Sequence, residues 1–256
     1  MSAPQILAVV NQKGGVGKTT TSVNLAAALA QSGRRVLLID LDPQGNATMG
    51  SGIDKRNAPR TVYHVLLGLC ELAAARTKVE KGGFDLVPAN RELAGAEIEL
   101  VELPGRETRL KSALERVLAD YDFVLIDCPP SLSLLTVNAL TAAQRVLIPM
   151  QCEYYALEGL SDLVATIKRV RGHLNPQLEI AGLLRTMYDP RNTLSQQVSQ
   201  QLEAHFGDKV YRTLVPRNVR LAEAPSYGVP AVLWDAGSKG AQAYFALASE
   251  ILGRAA

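Results

Sequence analysis

The sequence predicts an α/β fold: a doubly wound, mostly parallel sheet with helices on both faces. Three observations lead to this prediction. Short, almost continuously apolar runs recur along the 256 residues, as in strands buried on both faces. Segments with helical apolar spacing separate these runs. A glycine-rich stretch joins the first run to the first helical segment, which is typical of a loop at the carboxyl edge of such a sheet.

The predicted strands are strand-length apolar runs, several of which end in a polar or turn-forming residue. They are "ILAVV" (residues 6–10), "RVLLID" (35–40), "FDLVPA" (84–89), "FVLIDCPP" (123–130), "RVLIPMQ" (145–151) and "EIAGLLRTMY" (179–188).

The predicted helices have apolar residues three or four positions apart. The first, at residues 20–33, has Val23, Ala26, Ala27 and Ala30 on one face and Gly33 as a stop signal. The later ones are at residues 107–121 (Leu110, Leu114, Val117), 158–174 (Leu160, Leu163, Val164, Ile167) and 193–207 (Leu194, Val198, Leu202, Phe206).

The chain reads as a single domain spanning residues 1–256, because no Pro/Gly/Ser-rich linker divides it. A net charge of +2 is too small to indicate nucleic-acid binding by itself, so such a claim needs local clustering of basic residues. The three cysteines form no C-x-x-C pair, which favours reduced thiols in or near the core. No export signal is apparent, and no apolar run reaches the roughly 18 residues of a membrane span.

The stretch "NQKGGVGKTT" (residues 11–20) resembles the phosphate-binding pattern G-x-x-x-x-G-K-[ST], with Gln12 in place of the first glycine. In such a loop, backbone N–H groups and a helix N-terminus bind phosphate oxygens. The lysine reaches the β- and γ-phosphates and the following threonine binds Mg²⁺. The alternative is a glycine turn with a solvated lysine. The candidate nucleotide-binding residues are Gly14, Gly15, Val16, Gly17, Lys18, Thr19 and Thr20.

Acidic residues at two predicted strand ends support a nucleotide site. Asp127 follows four apolar residues, and Asp40 and Asp42 follow the run at residues 35–39. Ligands collect at the carboxyl ends of strands in open α/β sheets. We therefore expect a magnesium site, with Thr19 as a direct ligand and with Asp40 and Asp127 behind it or acting through water. An aspartate at a strand end is otherwise a cap or turn former.

Four segments together resemble the ParA/Soj-type chromosome-partition ATPases. They are "KGGVGKTT", "DLDPQGNAT", "DCPPSL" and "PRNVRLAEAPS", and "QCEYYALEGL" and "AGAEIELV" strengthen the resemblance. This family belongs to the deviant Walker A group of P-loop NTPases, which also holds MinD and the nitrogenase iron protein. The resemblance runs along essentially the whole chain. It implies an ATPase that uses ATP and Mg²⁺, turns over slowly and is stimulated by a partner.

The resemblance also assigns roles to individual residues. Lys13 matches the signature lysine, which reaches the partner's nucleotide across an ATP-bound sandwich dimer; otherwise it is a surface charge. Asp42 matches the residue that orients the attacking water, so the candidate catalytic residues are Lys13, Lys18 and Asp42. Pro216 and Asn218 match the residues that hold adenine, although a Pro-x-Asn turn is the alternative.

The same resemblance implies nonspecific binding of double-stranded DNA by the ATP-bound homodimer. The segment at residues 209–220 has four basic residues and no acidic one. Arg191 and Arg220 match the DNA-contacting arginines of the family, and Arg217 and Arg212 are weaker candidates. Lys and Arg contacts to phosphate need no sequence readout and weaken with salt. The alternative is a solvated basic rim.

Two rival functions are a MinD-like membrane-cycling ATPase and an iron–sulfur reductase. The first needs a basic amphipathic helix at the C-terminus, whereas "AYFALASEILGRAA" looks like a packed helix, so we expect no membrane docking. The second needs cysteines in exposed loops, whereas Cys128 and Cys152 lie beside predicted strands, so we expect no iron–sulfur cluster. The resemblance further implies a ParB-type partition partner and a cytoplasmic, nucleoid-associated location. We expect no N-terminal helix-turn-helix extension.

Overall fold

The computed structural model describes residues 4–154 and 156–255, and the strands of this part of the chain form one sheet. Its order is β3-β4-β2-β5-β1-β6-β7-β8; β3 is antiparallel to β4 and every other neighbouring pair is parallel. The predicted doubly wound, mostly parallel α/β fold is confirmed. The strands are β1 (Gln5–Val9), β2 (Val36–Asp40), β3 (Thr77–Val79), β4 (Phe84–Val87), β5 (Phe123–Asp127), β6 (Arg145–Gln151), β7 (Glu179–Tyr188) and β8 (Val210–Pro216).

Helices cover both faces of this sheet. The helices are α1 (Lys18–Gln31), α2 (Asn46–Gly50), α3 (Val62–Leu67), α4 (Leu72–Ala75), α5 (Leu93–Glu99), α6 (Arg109–Glu115), α7 (Leu134–Ala142), α8 (Ala156–His173), α9 (Thr193–Phe206), α10 (Val219–Glu223), α11 (Ala231–Trp234) and α12 (Lys239–Ala255).

Two apolar layers lie on opposite sides of the strands. Along β1, Ile6 and Ala8 pack into one layer, and Leu7 and Val9 pack into the other, because successive side chains of a strand point to opposite faces. Helices α3 to α9 contribute to the first layer, whereas α1, α2 and α10 to α12 contribute to the second. Both faces are buried, which explains the near-continuous apolar runs in the sequence.

The structure differs from the sequence predictions at a few places. Strands β3 and β8 and helices α2 to α5, α7, α10 and α11 were not predicted. Helix α6 ends at Glu115, although Val117 beyond it is still buried in the core. Leu194, expected on the apolar face of α9, is 41% exposed, because it lies in the first turn of that helix and outside the packed region.

The last helix packs against the phosphate-loop helix, as its sequence suggested. Tyr244, Leu247 and Ile251 of α12 are buried in the second layer. The Tyr244 hydroxyl lies 3.1 Å from the hydroxyl of Thr21 on α1, and both side chains are buried. Across the described residues, we find no helix with the length and apolarity that a bilayer crossing needs.

The register of the central strands decides where the functional residues meet. Val9 of β1 and Asp40 of β2 both pair with Asp127 of β5. The loop after β1 and the two strand-end carboxylates therefore lie at the same carboxyl edge, which is where open α/β sheets bind ligands.

Candidate nucleotide site and arginine surface

The loop between β1 and α1 has the backbone that a phosphate cradle requires. Gly15 and Gly17 have φ values of 75° and 85°, a left-handed conformation that residues with a Cβ adopt rarely. Gly14 and Gly15 are exposed, while the Val16 side chain is buried and anchors the loop. Gly17 is the residue before α1, so the first N–H groups of that helix point toward the open side of the loop.

Lys18 lies inside this loop, with 7% of its surface exposed. Its ammonium donates a hydrogen bond to the carbonyl oxygen of Lys13, 3.2 Å away, so the side chain folds back over the glycines. Burial lowers the pKa of Lys18, while the charges of Asp127 and Asp42 oppose that shift. A phosphate in the loop would supply the negative charge that this buried ammonium lacks.

Asp127 is fully buried and accepts two hydrogen bonds from α1. The hydroxyls of Thr19 and Ser22 donate to its Oδ2 and Oδ1 respectively, each over 2.8 Å. Burial and then the nearby charge of Asp40 raise the pKa of Asp127 to about 7, although the two hydroxyls act in the other direction. A cation at this point would favour the charged carboxylate.

Asp40 is also fully buried, and neighbouring donors bind both of its oxygens. The Thr48 backbone N–H and hydroxyl donate to Oδ2 over 2.7 Å each, and the Asp42 N–H donates to Oδ1 over 3.2 Å. Burial raises the pKa of Asp40 to about 6. Asp42 is 8% exposed, and its Oδ1 accepts from the Gln44 N–H over 2.9 Å.

The side chains of Lys18, Thr19 and Asp127 fit Mg²⁺ and a nucleoside triphosphate. The Thr19 hydroxyl and the Asp127 carboxyl group are hard oxygen ligands, which Mg²⁺ prefers. Burial raises the pKa values of both carboxyl groups, and a divalent cation beside them would favour their charged forms. The amide nitrogen of Gln12 is buried without a partner among the described residues, which leaves one donor in the loop for a ligand.

A cavity of about 190 Å³ lies beside the loop, between α1 and the ends of β7 and β8. Pro216 and Asn218, the two predicted adenine contacts, line it together with Thr20. Asn218 also caps α10, since its Oδ1 accepts from the Arg220 N–H over 2.9 Å. Met187 lines the opposite wall with a φ of 49°, a strained value that often marks a ligand site.

Lys13 points away from the phosphate cradle. Its backbone N–H donates to the Asn11 side chain, 3.0 Å away, and its ammonium pairs with Glu153, which follows β6. Half of the Lys13 side chain is exposed, and so is half of Glu153. The two lysines of the loop therefore have different surroundings, one buried over the glycines and one exposed at the surface.

The predicted DNA-contacting arginines follow the carboxyl ends of β7 and β8. Arg191 pairs with Asp189 through two hydrogen bonds of 3.0 and 2.9 Å. Arg191 and, more weakly, Arg217 lower the pKa of Asp189 to about 2. Arg217 is exposed and lines the cavity that holds Asn218, while Arg220 is exposed and pairs with acidic residues of its own chain.

Arg212 lies apart from the other three arginines. It lines a second cavity of about 890 Å³ at the amino ends of β7 and β8, together with Arg145 and Glu179. Because β8 runs from Val210 to Pro216, Arg212 and Arg217 belong to opposite edges of the sheet. The basic segment at residues 209–220 therefore does not form one continuous basic patch. Its first part belongs to β8, and its last part is the segment that follows β8 at the surface.

Cys128 and Cys152 are both buried, and burial raises the pKa of each thiol, that of Cys152 to about 11. No group of three or more His, Cys, Asp or Glu residues among the described positions is arranged to hold a metal ion. The two thiols therefore behave as core side chains in this part of the chain.

Sequence reasoning missed the residues that hold the site in place. Ser22 was detectable, because it lies one helical turn after Lys18, beside Thr19. Thr48, which binds Asp40, and Glu153, which pairs with Lys13, carry no local signal in the sequence. Thr186, whose hydroxyl donates to the Val16 carbonyl over 2.8 Å, ties β7 to the loop and was also missed.

A glycine loop from a central parallel strand into a helix, with its lysine, threonine and strand-end aspartates, defines a P-loop NTPase. The comparisons with known proteins agree. A family model described as an AAA domain matches residues 4–180. The chromosome partitioning protein ParA of Caulobacter vibrioides is 55% identical over 252 residues, covering 98% of this chain and 94% of that protein.

Two further relatives extend the comparison. The sporulation initiation inhibitor protein Soj of Bacillus subtilis is 55% identical, over 96% of this chain and 98% of that protein. The structure resembles cobyrinic acid a,c-diamide synthase from Mycobacterium smegmatis with bound ADP and magnesium. The TM-score is 0.86 and the identity 43%, with 97% of this chain and 94% of that chain covered. This chain belongs to the ParA/Soj family of chromosome-partitioning ATPases, and it is an ATPase that uses ATP and Mg²⁺.

Proposed function

We propose that this ATPase is a molecular switch for chromosome or plasmid partition, in which ATP assembles a sandwich homodimer that binds DNA nonspecifically. The observation that carries this proposal is the different placement of the two loop lysines. Lys18 is buried over the glycines, whereas Lys13 is half exposed and pairs with the surface residue Glu153. A lysine that is not used by its own loop is available to a second subunit.

Each residue of the cradle has a distinct role in this proposal. The backbone from Gly14 to Thr20 binds the phosphates, and Lys18 neutralises the β- and γ-phosphates. Thr19 would bind the magnesium ion directly, and Asp40 and Asp127 would lie behind it or act through water. A magnesium ion held there would neutralise charge that develops on the transferred phosphoryl group. Pro216 and Asn218 contact the adenine.

Lys13 and Asp42 would control the hydrolysis step. The ammonium of Lys13 reaches the partner's nucleotide and stabilises negative charge there, as an arginine finger does in trans. Asp42 orients the attacking water with the carboxylate oxygen that does not accept from Gln44. Phosphoryl transfer depends mainly on positioning and charge, so neither role needs a strong base. Hydrolysis is tied to dimerisation and is slow until a ParB-type partner stimulates it.

The exposed arginines would form the DNA-binding surface. Arg191, Arg217 and Arg220 lie on the segments after β7 and β8, and Arg217 lines the cavity proposed for adenine. A dimer presents each of them twice, which strengthens a contact that is weak in one subunit. In the cell, this places the ATP-bound protein on the nucleoid in the cytoplasm. We further propose that residues 1–256 act as one domain.

Binding to random-sequence duplex DNA tests this proposal. Fluorescence anisotropy is measured at low salt with ATP and with ADP, and is then repeated as the salt concentration rises. We expect binding with ATP only, and we expect it to weaken steeply with salt because it depends on phosphate contacts. Absence of binding in both nucleotide states would contradict the DNA-binding switch and leave an ATPase with another cargo.

A further inference from the structure

Arg220 contacts three side chains that were not singled out from the sequence, and a fourth stacks on one of them. Its Nη1 donates to Glu223 over 3.1 Å, and its Nε lies 3.2 Å from an oxygen of Asp235. Its guanidinium carbon lies 5.5 Å from the centre of the Trp234 ring, and Trp234 stacks on Tyr227 with 4.8 Å between the ring centres. We call Arg220, Glu223, Tyr227, Trp234 and Asp235 the Arg220 cluster.

These contacts place carboxylates beside the edges that an arginine uses for phosphate. A guanidinium binds a phosphate bidentately through two N–H groups on one edge, either Nε with Nη2 or Nη1 with Nη2. In Arg220, Nη1 donates to Glu223 and Nε lies 3.2 Å from Asp235, so a carboxylate lies beside one nitrogen of each edge. A phosphate that binds either edge therefore lies close to a carboxylate, and the repulsion between them favours the departure of that carboxylate.

Arg191 has a different arrangement. Asp189 binds its Nε and Nη2, which belong to the same edge, over 3.0 and 2.9 Å. The edge formed by Nη1 and the second hydrogen of Nη2 stays available. Asp189 can thus remain bound and hold Arg191 in place while a phosphate contacts the other edge.

We propose that Glu223 and Asp235 form an electrostatic latch on Arg220, which DNA must open and which limits the DNA affinity of the protein. This inference rests on the proposed DNA-binding function. With both carboxylates ionised, the cluster has one positive and two negative charges, so it repels phosphate as a whole until the latch opens. Trp234 keeps the guanidinium over its ring by a cation–π contact.

The burial of the cluster is consistent with a latch that opens. About half of the Arg220 side chain is exposed, and Glu223 and Asp235 are 43% and 39% exposed. Exposed ion pairs of this kind stabilise a protein little, so a phosphate can displace them. Since each dimer carries two clusters, the cost of opening counts twice in its affinity for DNA.

The test neutralises each carboxylate separately in the full chain, as Asp235→Asn and Glu223→Gln. Binding to random-sequence duplex DNA with ATP is measured by anisotropy at low salt. We expect each variant to bind about three- to tenfold more tightly than the wild type, because an exposed ion pair is removed in both subunits. Thermal melts check that each variant is folded. The DNA affinities of the two variants are also compared, because each variant removes a different carboxylate beside Arg220.

Two controls separate the latch from a general change of charge. Glu80→Gln removes the same single negative charge, but at the turn between β3 and β4, on the opposite side of the sheet from β8. We expect this control to alter DNA affinity by about twofold or less. In an Arg220→Ala background, Asp235→Asn should lose its effect, because there is no guanidinium left to release.

The outcomes distinguish the latch from the function on which it rests. If the wild type binds DNA but Asp235→Asn and Glu223→Gln bind equally or more weakly, the latch is wrong and the DNA-binding function stands. If neither the wild type nor either variant binds DNA with ATP, the proposed function fails and the latch fails with it. Binding by the variants alone would support a latch strong enough to hide the DNA surface.

Discussion

The carboxyl edge of the sheet contains two regions that are stabilised in opposite ways. At β1, β2 and β5, Asp40 and Asp127 are fully buried and bound by fixed hydroxyl and N–H donors. After β7 and β8, Arg191 and Arg220 are exposed and held by surface ion pairs, which for Arg220 are joined by a cation–π contact with Trp234. Changes in the first region should affect folding and chemistry together, whereas changes in the second should affect binding alone and depend on salt.

The largest expected effect lies between the two regions, at Lys13. Lys13→Gln should lower ATP hydrolysis by at least about 10³-fold, because it removes a transition-state cation supplied in trans. ADP affinity should stay within about twofold, since the Lys13 side chain lies outside its own cradle. Phosphate release and ADP titration measure the two quantities. Lys111→Gln, an exposed lysine change on α6, is the control, and wild-type turnover by Lys13→Gln would exclude the trans role.

Asp42 tests whether the buried region positions water. Asp42→Ala should reduce hydrolysis by about 10²-fold while ATP-driven dimers persist, because loss of positioning slows the chemical step and leaves binding intact. Size-exclusion chromatography with ATP and single-turnover phosphate release report both properties. Asp162→Ala, an exposed change on α8, serves for comparison. Normal hydrolysis by Asp42→Ala would move the water-positioning role to another residue.

Arg220 tests the exposed region. Arg220→Glu should weaken binding of random-sequence DNA by about 30- to 100-fold at low salt, because a phosphate contact becomes a repulsion in both subunits. ATP-driven dimerisation and the melting temperature should change little, since the side chain is about half exposed. Arg34→Glu, at the amino edge of β2, is the matched charge reversal. Joint loss of dimerisation and DNA binding would indicate a folding defect.

The smallest expected effect compares one substitution in two environments. Thr48→Val should lower the free energy of unfolding by about 1–2 kcal/mol, because the buried Asp40 carboxyl group and the Ala89 N–H lose their hydroxyl partner. Thr166→Val removes only a hydroxyl bonded to the Asp162 carbonyl within α8 and should cost about 0.5 kcal/mol or less. Urea denaturation gives both values, and equal costs would remove the contrast between the regions.

The sequence predicts the parts of this molecule in which a residue's role depends on its close neighbours along the chain. The glycine loop, Lys18 and Thr19 are contiguous, and Asp40 and Asp127 each end an apolar run that is recognisable as a strand. The parallel order follows from the alternation of runs and helices. These features predict the fold, which is confirmed, and they predict a phosphate site in the loop after the first strand.

The parts that escaped prediction depend on contacts between distant segments. Glu153 lies 140 positions from Lys13 in the sequence. The apolar run of β8 is interrupted by Arg212 and Thr213. Polar side chains are tolerated at these positions because β8 is the last strand of the sheet and has one neighbouring strand. The ion pairs of Arg220 depend on a turn that brings Asp235 back to α10. Local sequence patterns carry no information about such contacts.

The contact between Thr21 and Tyr244 has a consequence for how the protein is made. The helix that begins in the phosphate loop is packed against α12, and the two residues in contact are 223 positions apart in the sequence. Strands β1 and β2 emerge first, but the outer side of α1 stays uncovered until α12 arrives. A nascent chain therefore completes the packing around its nucleotide-binding helix only after α12 has emerged, and a chain cut before α12 leaves one side of that helix uncovered.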